Sequence, residues 1–202
     1  MKRTILISGL LLFVAVGLFG QTEALTQFNT ERLQINKVGM IALTSWAVGN
    51  IGVNAFLTRN ASGSDGHFYR MNIYWNIVNL ALAVPGLRHS IITDPASLSL
   101  AETVGEYHQM GKIVLFNAAL DMAYITGGFL MKEMAKSREK RRDILDGYGR
   151  SLILQGGFLL VFDAVLFTAL QLKNKGLTKI LETVQPVMPG GSGVGLGLTL
   201  TF

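Results

Sequence analysis

Three asparagines set inside an apolar segment constrain this chain more than any other feature. Residues 68–87 read FYRMNIYWNIVNLALAVPGL, a length close to the roughly 20 residues with which an α-helix crosses a bilayer. Asn72, Asn76 and Asn79 follow the spacing i, i+4, i+7 and share one side of such a helix, while Ile73, Ile77, Leu80 and Val84 occupy the others. An amide left unpaired in hydrocarbon costs several kcal/mol, so this face requires polar partners from other helices.

Three further apolar segments can supply them. The sequence predicts spans at about 38–57, 68–87, 113–131 and 151–172, an all-α integral membrane four-helix bundle with a polar interior. Composition agrees: half of the 202 residues are hydrophobic and 15% are charged, against about 25% charged in soluble domains. The charges gather between the apolar runs. The absence of cysteine removes disulfides, thiolate metal sites and Cys nucleophiles. The formal charge of +5 includes Lys2 and Arg3, which belong to a targeting segment, and much of the rest sits in one loop. We read it as a topology signal, with the lipid bilayer as partner and no nucleic acid.

Residues 1–20 pair a basic start with an apolar run, the form of a signal peptide, either cleaved near Gly20 or Ala24 or retained as an anchor helix. Residues 21–37 read as an amphipathic lead-in lying at the interface. The first span is interrupted by Ser45, Gly49, Asn50, Gly52 and Asn54, residues that serve helix contacts better than lipid. Pro85-Gly86 marks the end of the second span. Ser99-Leu-Ala-Glu102 fits a capping box, placing the start of the third helix near Leu100, well before its span; a structureless loop is the alternative. Residues 132–150 hold seven Lys or Arg against four acids, whereas residues 59–70 and 88–112 hold two Lys or Arg each. The positive-inside rule makes this loop cytoplasmic, which puts Gln21 and the C-terminus on the far, periplasmic side, as the signal-like start also requires. Residues 173–202 form an outer tail, Gly-rich beyond Pro186, with a strand-like alternation at Val194, Leu196, Leu198, Leu200 and Phe202 that a lone segment cannot close into a barrel.

Asp121 and Asp163 are the charged residues that fall well inside the spans, and intramembrane acids ordinarily face a bundle interior. Counted from the outer ends, Trp46, Asn79, Asp121 and Asp163 share a layer roughly 12 Å down. Asn54, Asn72 and Gln155 form a second layer, with Asn50 and Asn76 between. Helical phase agrees: Trp46, Asn50 and Asn54 lie on one face, as do Asn117, Asp121, Tyr124 and Gly128, and Gln155 and Asp163. Three readings fit this constellation. The first is a hydrogen-bonded core that fixes register in a structural or accessory protein. The second is a proton, cation or small polar solute path through Asp121 and Asp163, sharing a proton, with Asn79, Asn50 and Tyr124 around them. The third is a membrane enzyme using the acids as acid and base, although LDMAY and LVFDA lack the Gly-x-Gly-Asp setting of intramembrane aspartyl proteases.

His67, His89 and His108 match no ligand spacing, so no metal or cofactor is assigned. Trp46, Tyr74, Trp75 and Tyr124 fit bundle packing or a pocket lining, and Gly127-Gly128 and Gly156-Gly157 fit close helix contact. Four spans rarely enclose a pathway alone, which points to a homo-oligomer or a partner subunit.

SWAVGN at 45–50, MNIYWNIVNL at 71–80, NAALDMAY at 117–124 and GYGRSLILQGGFLLVFD at 147–163 together resemble an uncharacterised family of small bacterial membrane proteins. The resemblance covers about residues 30–172. It implies a signal-like start and four spans, and it brings no activity, cofactor or catalytic residue; the location we expect is the bacterial inner membrane.

Overall fold

A computed structural model describes the backbone of residues 2–184, 186–187 and 197–198, and the side chains of residues 22–182. Among the described residues five α-helices carry the fold: α1 Lys2–Leu57, α2 Gly63–Ile92, α3 Leu100–Ser137, α4 Arg142–Gln171 and α5 Asn174–Val184. α1 through α4 run antiparallel to their sequence neighbours. The end bearing the 132–150 connection is called the basic end below, and the opposite one the capped end. α1 packs on α2, α3 on α4, and α2 on α4 joins the two hairpins.

The packing is inverted relative to a water-soluble bundle. Phe56, Leu115, Phe116, Val161 and Val165 are 62 to 67% exposed, while Asn72, Asn76, Asn79, Asp121, Gln155 and Asp163 are buried. A polar interior inside an apolar surface is stable where the surrounding medium is hydrocarbon. Three helical stretches, Thr22–Leu57, Leu100–Ser137 and Glu139–Glu182, are long and apolar enough to cross a membrane. α2 falls outside this group, because its three amides lower the mean hydropathy of the helix that carries them.

α3 and α4 show how sequence spacing sets the packing. The residues α3 buries include Tyr107, Val114, Asp121, Gly128 and Ala135, each seven apart; α4 buries Gly149, Gly156, Asp163 and Leu170 at the same interval. A seven-residue repeat keeps one seam facing the partner in a left-handed supercoil. The glycines let the backbones touch. A Cβ added to Gly128 would stand 2.6 Å from the Gly149 carbonyl, and one added to Gly156 would stand 3.0 Å from the Asp121 carbonyl. α4 turns a second face, Gly147, Ser151 and Gln155, toward α2, where a Cβ on Gly147 would overlap the Ser64 carbonyl. Of the glycine pairs singled out by sequence, one member each makes contact: Gly127 and Gly157 face open space.

Helix ends differ from expectation in two places, at α1 and α2, and agree with it at the start of α3. α1 runs unbroken through residues 2–57, so the lead-in at 21–37 is no separate surface helix; it extends the first span past the bundle and packs there. α2 continues through Pro85 to Ile92. The proline costs one backbone hydrogen bond, the one to the Ala81 carbonyl, and the Gly86 carbonyl beyond it accepts from Ser90 Oγ at 2.9 Å and from Asn36 Nδ2 at 3.3 Å, which ties this last part of α2 to α1. α3 starts at Leu100, where Ser99 Oγ accepts from the Glu102 amide and the Glu102 carboxylate accepts from the Ser99 amide, a complete capping box. At the other end, Gly63 takes φ +56°, a conformation that opens α2 tightly after the 58–62 turn.

The capped end is a small domain of its own. Phe28 of α1, Tyr107 of α3, Leu170 of α4, and Leu177 and Ile180 of α5 form an apolar cluster, with Ile35, Leu100, Val104 and Met110 packed against it. Over it, Asn29 Nδ2 donates to Thr103 Oγ1 at 2.9 Å, and buried Arg32 reaches Glu106 Oε2 at 2.6 Å. Lys173 pairs with Glu31 at 2.7 Å. The strand-like alternation of the tail lies outside the described residues, except that Gly197–Leu198 pairs antiparallel with Pro186–Val187.

Candidate functional site

The polar interior divides into two parts with different chemistry. Toward the basic end the amides form a connected network. Gln155 on α4 is its hub: its Oε1 accepts from Trp46 Nε1 at 3.1 Å, and its Nε2 donates to Asn72 Oδ1 at 3.0 Å and toward Asn50 Oδ1 at 3.4 Å. Asn72 Oδ1 also accepts from Ser151 Oγ at 2.6 Å, and Asn72 Nδ2 donates to Asn54 Oδ1 at 3.1 Å. Asn50 and Asn54 return their own Nδ2 groups to carbonyls one turn back, Trp46 and Asn50 respectively. Asn76 does the same to Asn72 O at 2.8 Å and accepts from Asn79 at 3.3 Å. Side chains from α1, α2 and α4 thus satisfy one another, and Phe158 stacks on Trp46 with centroids 3.8 Å apart. Ser151, which completes Asn72, was not singled out by sequence; its place four residues before Gln155 was the available signal.

Toward the capped end the interior opens into a cavity of about 630 Å³ between the two hairpins. Its walls are mostly apolar, with Leu43, Val78, Leu82, Ile113, Leu159 and Leu166 among them. Its floor holds Asp121, Asp163, Asn79, Asn117, Tyr124 and Trp75, and its other end reaches Arg32, Glu106 and half-exposed His89. The volume falls in the range of small-molecule sites, about 300 to 1,000 Å³.

The two acids meet because of helix polarity. α3 and α4 pair Tyr107 with Leu170, Asp121 with Gly156 and Gly128 with Gly149, so Asp163 lies one seven-residue step nearer the capped end than Asp121. α-helical side chains lean toward the N-terminus, and in antiparallel helices the two acids therefore lean toward each other, their carboxyl groups coming within interaction range. Asp121 Oδ2 is buried and finds no hydrogen-bond partner. Among the described residues no Lys or Arg pairs with either acid. Trp75 packs edge-on to Tyr124, centroids 4.6 Å apart, and its buried Nε1 also lacks a partner.

Against the expected layers, Asn79, Asp121 and Asp163 gather at the cavity floor with Asn117 and Tyr124, and Asn54, Asn72 and Gln155 gather in the amide network. Trp46 changes place: its indole reaches Gln155 and not the acids, because the long side chain spans much of a helical turn. Asn50 joins the network and is not part of the acid surroundings. His89 stands 3.6 Å from Glu106, His67 contacts the Tyr148 ring edge, and His108 is exposed beside Tyr107. Among the described residues no three His, Cys, Asp or Glu converge. The Arg32–Glu106 pair was missed by sequence, although Asn29 and Arg32 on α1 and Thr103 and Glu106 on α3 share a matching i, i+3 spacing.

Neither the curated proteins nor the solved structures contain a match to this chain. A family model matches residues 42–164, the segment that carries the amide network and both acids. The chain belongs to that family, DUF6992, a family of unknown function.

Proposed function

We propose that this is a four-span integral protein of the bacterial inner membrane, an accessory or receptor-like subunit that binds a small solute in a cavity open to the outer side. The observation that carries this reading is the division of its interior: a closed amide network below, a cavity of about 630 Å³ ending on two acids above. α2 serves as the fourth span, since its amides are buried and Tyr74, Ile77 and Val84 are exposed on its outer faces. The seven basic residues of 132–150 support a cytoplasmic basic end and a periplasmic cap, and the start of the chain acts as a signal peptide or anchor.

Passage of a proton, cation or polar solute is the second reading, favoured by the unpartnered oxygen of Asp121. It requires a route past Gln155 and Asn72, supplied by a second copy or a partner subunit. Thiol labelling in the native cysteine-free background tests the first reading. Asn79→Cys and Asp121→Cys should react with an impermeant maleimide added from the periplasmic side, and Ser151→Cys should be protected. Protection at all three positions would remove the open cavity, and labelling of Ser151→Cys from the cytoplasm would favour the path.

A further inference from the structure

We propose that the cavity is a site for an organic ammonium ion, its charged group held by Asp121 and Asp163 and its apolar body lying along the Leu and Val walls. This rests on the cavity reading above and assigns its ligand class. Two carboxyl groups placed together in a desolvated interior require protons or a counter-cation. Among the described residues the protein offers no Lys or Arg to them, and Asp121 Oδ2 lacks even a neutral donor while the residue is 98% withdrawn from solvent. The other floor groups suit a cation. Tyr124 and Trp75 present aromatic surface beside the acids, and ring faces attract ammonium groups more strongly where water is excluded.

The size and lining select an organic cation over a bare metal ion. A metal needs a tight shell of oxygen donors, whereas this cavity has room for a drug-sized molecule and walls dominated by aliphatic side chains. At the end of the cavity away from the acids, Arg32 is neutralised by Glu106, and Glu106 also lies 3.6 Å from His89, so that end sets no isolated positive charge against a bound cation.

The test uses the full chain purified in lipid nanodiscs and titrated by calorimetry with two molecules of the same body, 2-phenylethylamine and 2-phenylethanol. The amine is expected to bind at least about tenfold more tightly, a difference of about 1.4 kcal/mol. Asp121→Asn and Asp163→Asn should each reduce that preference, with unchanged circular dichroism and gel-filtration behaviour, and the double variant should abolish it. Equal binding of amine and alcohol, absence of saturable amine binding, or a preference that survives the double variant would overturn the proposal. The ratio on the unaltered protein decides alone if the variants do not fold. Labelling of Asp121→Cys with no amine preference leaves the cavity and removes the ammonium assignment; no labelling removes the cavity itself.

Discussion

The two halves of the interior are built from the same materials and behave oppositely. Near the basic end, three helices contribute amides whose donors and acceptors answer one another, from Trp46 through Gln155 to Asn72, Ser151 and Asn54. Near the capped end, two carboxyl groups face a cavity with one oxygen unanswered. What separates the halves is helix spacing. Glycines at 128, 147 and 149 draw backbones together below, whereas Leu, Val and Met side chains line the space between the hairpins above. Close backbones leave room for short amides that reach a partner; wider spacing leaves polar groups without one. The lesson is that polarity in a membrane interior does not by itself indicate a site, and that unanswered polarity beside a void does.

The contrast can be broken most severely at the contacts that close the lower half. Gly149→Leu should cost about 3 kcal/mol through overpacking against the Gly128 carbonyl and Lys132, read by detergent-denaturant unfolding of the purified protein. Gly157→Leu, on the same helix but facing open space, should change stability by less than about 0.5 kcal/mol. Equal losses would mean that the close approach does not set the spacing. Next in size, Asn72→Leu strands Ser151, Gln155 and Asn54 and should cost about 2 kcal/mol. Asn79→Leu, which removes one bond at the edge of the cavity, should destabilise by about 0.6 kcal/mol.

Asp163→Asn should shift unfolding by less than about 1 kcal/mol, because no Lys or Arg among the described residues pairs with its charge and an amide can still hydrogen-bond Asp121; a loss matching that of Asn72→Leu would make the upper half as structural as the lower. The smallest effect lies in the cap. A hydrogen bond from Lys173, then one from Gln27, holds the Glu31 carboxyl below its usual 4.5. That contribution is present in full above pH 4.5 and is lost as pH falls through the lowered value. The pair is exposed, so solvent screening keeps it to a few tenths of a kcal/mol. Glu31→Gln should remove this part of the acid sensitivity, seen as a flatter unfolding midpoint below pH 4.5 by circular dichroism.

Much of this organisation was legible in residue spacing, because membrane interiors restrict where polar groups go. Asn72, Asn76 and Asn79 had to share a buried face, and antiparallel depth arithmetic was enough to bring Gln155 to Asn72; it set Asp121 and Asp163 at one level, whereas their backbones stand seven residues apart and only the lean of the side chains closes the gap. Ser99 and Glu102 announced the start of α3. Other features depended on distances that spacing does not carry. Trp46 was assigned by its Cα level, while its indole reaches another layer. Pro85 reads as a stop, yet α2 runs on to Ile92, with Ser90 and Asn36 donating to the Gly86 carbonyl. The cap was invisible because Phe28, Arg32 and Leu177 look like interfacial residues until four separate helices converge there. Gly147 and Gly149 lay hidden in a charged stretch read for its topology.

Gly147 also has a mechanical consequence. It clamps α4 against the Ser64 carbonyl and Phe68 of α2 at one extremity, which makes that contact the fulcrum of a long arm. From Ser64 to His89 the arm extends roughly 37 Å at 1.5 Å per residue. Rocking one hairpin about this pivot by about 5° would displace the His89 entrance by roughly 3 Å, comparable to the width of a water molecule. The same rotation moves Asn72, eight residues from the pivot, by about 1 Å, so the bonds from Asn72 to Ser151 and Gln155 are the restraint against which the far end of the cavity swings.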